Sequence, residues 1–395
     1  MREVVCPRRV SLLLVSHSYP PVLGGSEIEA QRVCAGLLRR GHSVMVLCAG
    51  NPPMPQDPYW IDPAGVPVRI FGKGLRPAWR DWAFALGVAW TLFRQRRRYQ
   101  LVYFLMQGLH LAVGLPVARY LRKSIVMKVS GSSIITHMGR SRAGRLELTW
   151  LRKWAHRVMV LNTGIAAEAE AAGLTPEQLL WMPNPVDTEE FSPCDWEHRS
   201  TLRARLALSQ QALAVIFVGR LAPEKELPSL FKAFASVVKE APRAVLILVG
   251  DGPVRKDLEV MTGELHLKAS IRFIGRQTPA QVSEWLRASD VFALVSSNEG
   301  FPCSLAEAMS SGLPSVVSDI PANLQLIDPG VHGLHVSVRS VPSIAAALTQ
   351  LLADEVLRTR MGLAARQRVI DNYSLDRVLD RYEAMFSEVL DRAPR

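Results

Sequence analysis

The sequence predicts an α/β protein made of two doubly wound parallel sheets in succession. Apolar runs of strand length alternate with stretches of helical periodicity from residue 10 onward; the alternation lapses around Asn184, Pro185 and Pro193; and a second alternating series follows. A length of 395 residues with 48% hydrophobic and 21% charged content suits two buried cores rather than disorder.

In the first half, Val10 to Val15 reads as a strand, and Pro20, Pro21, Gly24 and Gly25 mark a loop. A helix follows, with Ala30, Val33, Cys34, Leu37 and Leu38 at helical spacing until Gly41. Ser26 and Glu29 match a capping box at its start. Val44 to Leu47 is the next strand, so this unit is a right-handed crossover between parallel strands. Residues 52 to 75, rich in Pro and Gly, read as loop, and Trp79 to Arg98 as helix. Leu101 to Leu105 and Ile125 to Val129 are strands.

In the second half, strands at Ala214 to Val218, Val245 to Val249, Ile271 to Ile274, Val291 to Val295 and Ser315 to Val317 alternate with helices starting near Pro228, Pro253, Pro279 and Ser304. Asp371 to Leu390 closes the chain as a helix, its apolar face running from Leu375 to Val389.

Composition narrows the function classes. Trp82 to Phe93, the longest apolar stretch, is far short of the roughly 20 residues a membrane-spanning helix needs. The N-terminal residues show no leader pattern, which predicts a cytoplasmic protein. The five cysteines, Cys6, Cys34, Cys48, Cys194 and Cys303, are scattered and imply neither a disulfide framework nor a zinc site. Of the net charge of +11, nearly all falls in residues 1–195, with 24 Lys and Arg against 14 Asp and Glu. That field favours an anionic partner: a membrane surface, a nucleic acid or a phosphate-bearing substrate.

The densest candidate site is Ser296 to Met309, between a strand and a helix. Ligands bind there in open parallel sheets, and a helix start offers unpaired amides to an anion. Glu299 falls in the loop and Glu307 in the first helical turn; Ser304 and Glu307 also fit a capping box, which needs no ligand. A second constellation, Gly219, Arg220 and Lys225, follows the first strand of the second half. Arginine binds phosphate oxygens bidentately and lysine as a movable point charge, although a surface pair of this kind is often merely solvated. Gly250-Asp251-Gly252, Phe273 to Arg276 and Asn184-Pro185-Val186-Asp187 share that end of the sheet and read equally as turns.

The ordered set resembles family four of the glycosyltransferases, the retaining enzymes of GT-B architecture, over nearly the whole chain. It comprises Pro20 to Glu27, Arg40-Gly41-His42, Pro183 to Asp187, Gly219-Arg220-Leu221 with Lys225, Gly250 to Pro253, and Glu299 and Glu307 separated by seven residues. The resemblance implies two Rossmann-like domains facing across a cleft. Residues 1–188 would form the acceptor-side domain, residues 189–371 the donor domain, and a helix near 372–392 would pack back on the first.

It further implies that Arg220 and Lys225 hold the diphosphate of a nucleoside-diphosphate sugar, Glu307 the ribose and Glu299 the transferred sugar. The amides following Phe301, at Cys303 and Ser304, would support phosphate and sugar. Gly24 and Gly25 would approach the donor, Arg276 would pass the base, and Gly219 and Asn184 would complete the donor site. With no Asp-x-Asp sequence in the chain, no metal and no cofactor are expected, the cations taking the metal's place. The partners implied are the sugar nucleotide and a glycan, lipid-linked or small-molecule acceptor, with no nucleic acid. Three departures stand out: Ser130 where many members carry histidine, Glu226 where glycine commonly follows the lysine, and Asp319 to Gln325, which lacks the paired glycines and the glutamate often found there.

Two rival functions share the architecture, an epimerase acting on a nucleotide sugar and a non-catalytic sugar-nucleotide or glycan-binding protein. The segment Arg76 to Arg98, with Trp79, Trp82, Phe84, Leu86, Trp90 and Phe93 among six arginines, also has two readings. Its aromatics pack into the domain core, or Arg94, Arg96, Arg97 and Arg98 with Trp79 or Trp82 touch an anionic membrane at its cytoplasmic face.

Overall fold

A computed structural model describes residues 9–22, 24–105 and 107–392. Cys6, the N-terminal residues read for a leader, and Leu23 of the first loop lie outside the described residues. The chain divides into two compact units, Met1–Pro185 with Leu375–Arg395, and Val186–Ser374.

The first unit runs β1 (Ser11–Ser16), α1 (Gly25–Arg39), β2 (Ser43–Ala49), β3 (Tyr59–Ile61), β4 (Pro67–Phe71), α2 (Pro77–Arg94), β5 (Leu101–Leu105), α3 (Leu109–Tyr120), β6 (Ser124–Lys128), α4 (Ile134–Arg140), α5 (Arg142–Trp154), β7 (Arg157–Val160), α6 (Thr163–Ala171) and β8 (Leu179–Trp181). Its eight strands lie in the order β3-β4-β2-β1-β5-β6-β7-β8, parallel except for the edge pair of β3 and β4. β5 and β6 are buried along their whole length, as strands covered on both faces must be.

The second unit contains α7 (Trp196–Arg205), β9 (Leu213–Val218), a 3₁₀ turn (Pro223–Lys225), α8 (Leu227–Glu240), β10 (Ala244–Val249), α9 (Arg255–Glu264), β11 (Ile271–Gly275), α10 (Pro279–Ala288), β12 (Val291–Leu294), α11 (Cys303–Ser310), β13 (Ser315–Ser318), α12 (Pro321–Leu326), β14 (Gly333–Val336), α13 (Val341–Ala353) and α14 (Glu355–Asn372). Its parallel sheet has the order β11-β10-β9-β12-β13-β14. α15 (Leu375–Arg392) belongs to the first unit, where Val378, Leu379, Tyr382, Met385, Phe386 and Val389 join the core beneath α1.

Two local expectations fail for identifiable reasons. Residues 52–75 are not all loop: β3 and β4 lie inside them, because Val68 and Ile70 alternate inward between turn-rich flanks. The Ser26 and Glu29 capping box does not form. α1 begins at Gly25, Gly24 is its cap without a side-chain bond, and Glu29 is turned into the core at 3% exposure.

Glu29 is held there by Lys128, which is fully buried at the end of β6. Lys128 Nζ donates to Glu29 Oε1 at 2.9 Å and to Asn184 Oδ1 at 2.8 Å, and the Tyr382 hydroxyl of α15 donates to Glu29 Oε1 at 3.0 Å. Burial first, and then the nearby Glu29 charge, drives the Tyr382 hydroxyl well above its ordinary pKa, which keeps it a donor. This cluster and a second one, in which Arg40 meets Asp376, Asp380 and Glu383, tie the terminal helix to its unit.

α2 settles part of the question left by its aromatics. Phe84 is buried, but Trp79, Trp82, Leu86, Trp90 and Phe93 are each more than half exposed, so most of the aromatic set does not enter the core.

Candidate functional site

In the second sheet the chain winds outward from β9 through β10 to β11, then returns to place β12 on the other side of β9. The loops after β9 and β12 therefore flank the switch point of the sheet, the position at which open α/β sheets bind ligands. The loop after β9 supplies Gly219, Arg220 and the turn Pro223–Lys225. The loop after β12 supplies Ser296 to Pro302 and leads into α11. A backbone bond from Ser297 N–H to the Glu224 carbonyl, 2.9 Å, holds the two loops together.

Across that junction Lys225 Nζ lies 2.6 Å from Glu299 Oε1, both side chains largely buried. The Ser296 hydroxyl donates to the same oxygen at 2.7 Å. Ser296 is in turn fixed through its carbonyl, which accepts from the Ser318 hydroxyl, and Asn323 Nδ2 donates to the Ser318 carbonyl at 2.9 Å. Glu299 is thus a loop carboxylate immobilised by two donors. Arg220 is exposed, with no side-chain hydrogen bond or ion pair among the described residues.

α11 opens onto the same place. Its cap is Pro302, with no side-chain capping bond, so the capping reading of Ser304 and Glu307 does not apply: Ser304 sits within the first turn and Glu307 in the second. The amides of Cys303, Leu305 and Ala306 bond to the carbonyls of Phe301 or Pro302. That of Ser304 has no partner among the described residues and is left to donate at the positive end of the helix. The Phe301 ring is buried, 6.0 Å from Tyr373 between centroids, so only its backbone faces the loop.

Glycine at Gly219 and Gly250 has a steric cause. Both have φ in the range that favours glycine, +157° and +134°, and a Cβ on Gly250 would lie 1.9 Å from the Gly219 carbonyl oxygen. These glycines let the loops pass backbone against backbone beneath the site.

Glu226, which breaks the expected pattern beside Lys225, takes φ +51° as the cap of α8 and turns its carboxylate to Arg339, 2.7 Å away. That hydrogen bond holds the Glu226 carboxyl below the usual carboxylate range, against the opposing effect of burial. Its charge is therefore neutralised locally. Arg339 was not singled out by sequence; Ser296 opens the segment Ser296 to Met309, but its role as a donor to Glu299 was not read there.

Other sequence candidates fall elsewhere. Arg276 is exposed after β11, on the edge strand separated from β9 by β10. Asn184, Gly24 and Gly25 belong to the first unit, where Asn184 is buried and accepts from Lys128. Gly24 caps α1, and a Cβ there would come within 2.2 Å of the Glu27 carboxylate.

The first sheet has its own switch point, between β1 and β5. A cavity of about 300 Å³ lies there, lined by His17, Ser26, Gln107, Ser130, Gly131 and Ile134. Gln107 Oε1 and Ser130 Oγ are buried in it without a hydrogen-bond partner among the described residues, two polar atoms that a hydroxyl-rich ligand would satisfy.

Two doubly wound units, each with a polar crevice at its switch point, define the GT-B class of fold. Residues 23–190 match the profile described as Glycosyltransferase Family 4, and residues 198–368 that of Glycosyl transferases group 1. The chain belongs to the family-four glycosyltransferases. It is 29% identical to the UDP-Gal:alpha-D-GlcNAc-diphosphoundecaprenol alpha-1,3-galactosyltransferase of Escherichia coli, over 54% of this chain and 55% of that one. To the N-acetyl-alpha-D-glucosaminyl L-malate synthase of Bacillus anthracis it is 30% identical, over 48% and 49%. The matched segment thus spans about half the length of these curated relatives. The crystal structure of Anabaena HepE in complex with UDP and glucose superposes with a TM-score of 0.79 at 19% identity, covering 96% of this chain and all of that one; at such identity the likeness is one of fold.

Proposed function

We propose that the protein transfers a glycosyl group from a nucleoside-diphosphate sugar to an acceptor hydroxyl, with retention of configuration. The observation that carries this reading is the Lys225–Glu299 pair, 2.6 Å apart beside the uncapped start of α11. A preorganised cation and a fixed carboxylate at one strand end fit the two halves of a sugar nucleotide, its diphosphate and its sugar.

In this reading Arg220, Lys225 and the Ser304 amide bind the diphosphate, and Glu307 takes the ribose hydroxyls. As the bond from the anomeric carbon to the phosphate oxygen breaks, negative charge grows on the leaving phosphate, and these donors stabilise it without reorganising. Because these donors supply the positive charge, this reading expects the reaction to need no divalent ion. Glu299, with one oxygen committed to Lys225 and Ser296, orients the sugar. The acceptor oxygen bonds to the anomeric carbon from the face the phosphate leaves, and its proton passes to the departing phosphate oxygen. The crevice of the first unit, with Gln107 and Ser130 awaiting partners, is suited to a hydroxyl-rich glycan or lipid-linked acceptor. The acceptor named for the E. coli relative, a diphosphoundecaprenol-linked sugar, supports the lipid-linked class.

Arg220→Ala and Lys225→Ala are each expected to weaken nucleoside-diphosphate binding by about 1.5 to 3 kcal/mol, the range for hydrogen bonds to charged groups. Isothermal titration of UDP, GDP and ADP in the presence of EDTA measures it. Wild-type binding that disappears with the chelator, or variants that bind as tightly as wild type, would remove the assignment.

A further inference from the structure

We propose that the exposed face of α2, continued onto the edge strand β3, is a docking surface for an anionic lipid bilayer. α2 is apolar on two opposite sides. Phe84, Ala85, Val88 and Leu92 fill the core of the first unit. Trp79, Trp82, Leu86, Trp90 and Phe93, spaced by three and four residues, form one stripe on the other side, exposed by 51 to 70%. A helix inside a globular unit normally turns a polar face to water.

The stripe does not end at the helix. The Arg69 guanidinium of β4 lies 4.5 Å from the centre of the Trp90 ring and 4.8 Å from that of Tyr59 on β3. Tyr59 and Ile61, on one side of that edge strand, are themselves 56% and 69% exposed. The Arg69 guanidinium thus joins the exposed aromatics of the helix to those of the edge strand in one patch rather than leaving scattered side chains, the arrangement that marks an interaction site.

Charge identifies the occupant. Arg94, Arg96, Arg97 and Arg98 are exposed at the end of the stripe, and Arg76 is exposed at its start. The only acidic residue from 76 to 98 is Asp81, whose carboxylate is 2.9 Å from His17. A second copy of the chain does not fit: an antiparallel pair of stripes sets Arg94 to Arg98 against Arg76 and Arg80, and a parallel pair stacks the cluster on itself. Anionic headgroups answer this charge. Three indoles in a row suit the boundary where acyl chains meet phosphate, since each buries a ring and keeps a polar N–H wet. No helix among the described residues is long and apolar enough to cross a membrane, so α2 lies along the surface rather than through it.

Vesicle flotation of the full chain tests this, using phosphatidylcholine alone and phosphatidylcholine mixed with phosphatidylglycerol. The protein should float with the anionic vesicles, far less with the neutral ones, and dissociate in 1 M salt, where screening acts within about 3 Å. Each arginine changed to glutamine among R94Q, R96Q, R97Q and R98Q should lower partition about fivefold, the equivalent of about 1 kcal/mol per charge. Trp79→Ser with Trp82→Ser should lower it as well. Both variants should keep the wild-type unfolding temperature and nucleotide binding, since the changed side chains are exposed; these controls also make the outcome independent of the donor assignment. Equal flotation on both vesicle types overturns the proposal. So does absence of flotation, whether sedimentation velocity then shows a dimer dispersed by the Trp79→Ser, Trp82→Ser variant or a monomer that instead binds an acidic protein.

Discussion

Lys128→Met is expected to destabilise the first unit by about 3 to 5 kcal/mol, the cost of removing one partner from a buried ion pair. Lys128 is fully buried, and its ammonium satisfies Glu29 and Asn184 together with the Tyr382 ring and hydroxyl of α15. Replacing it with an apolar side chain of similar length keeps the volume but leaves the Glu29 carboxylate in the core beside Tyr382 with no cation. The Glu29→Gln, Lys128→Met double variant should recover much of the loss, because an uncharged amide retains a hydrogen bond from Tyr382 without stranding a charge. Chemical unfolding of wild type, both single variants and the double variant gives the coupling energy directly. Additive losses would mean that the pair is not the reason α15 stays attached.

Glu299→Gln is expected to lower turnover by about 10²- to 10³-fold, on the scale of losing one preorganised electrostatic group in an active site. Binding of free nucleoside diphosphate should hold or tighten, because Lys225 loses the carboxylate that now neutralises it at 2.6 Å. Glu307→Gln should show the opposite pattern, weakening nucleotide binding with a smaller change in turnover once saturated. Steady-state kinetics with parallel titration of the diphosphate separates the two. If Glu299→Gln weakens nucleotide binding and leaves turnover intact, the sugar-side assignment is wrong.

How far the sequence was legible follows from the range of the interactions involved. β5, β6, β9, β10 and β12 were readable because burial on both faces forces unbroken apolar runs, a local signal, whereas β14, only half-buried at Leu334 and His335, was not read. β3 and β4 were not readable, because short strands bracketed by Pro and Gly resemble loops. The Ser26 and Glu29 capping box looked local, but Glu29 was committed to Lys128, 99 residues away. A lysine inside the otherwise apolar run Ile125 to Val129 was the available clue, since such a side chain needs a buried partner. The aromatics of α2 gave two readings because a helix apolar on both sides does not reveal which side is covered.

At the candidate site, the motif spacing predicted which residues lie near the strand ends but not their pairings. That Lys225 meets Glu299 and that Arg339 relieves Glu226 depend on contacts between loops far apart in the chain, and that Ser296 braces the same carboxylate as Lys225 depends on how its own loop turns.

The central claim is transfer of a glycosyl group with retention, and product analysis tests it most directly. The protein is incubated with uridine, guanosine and adenosine diphosphate sugars, with EDTA, with and without an acceptor extract containing lipid-linked glycans. Released nucleotide and the anomeric proton of the new linkage are followed by NMR. The account predicts acceptor-dependent release of nucleoside diphosphate and a product whose anomeric configuration matches that of the donor. An inverted linkage, an isomerised sugar nucleotide formed without acceptor, or tight donor binding with no product from any donor would contradict it.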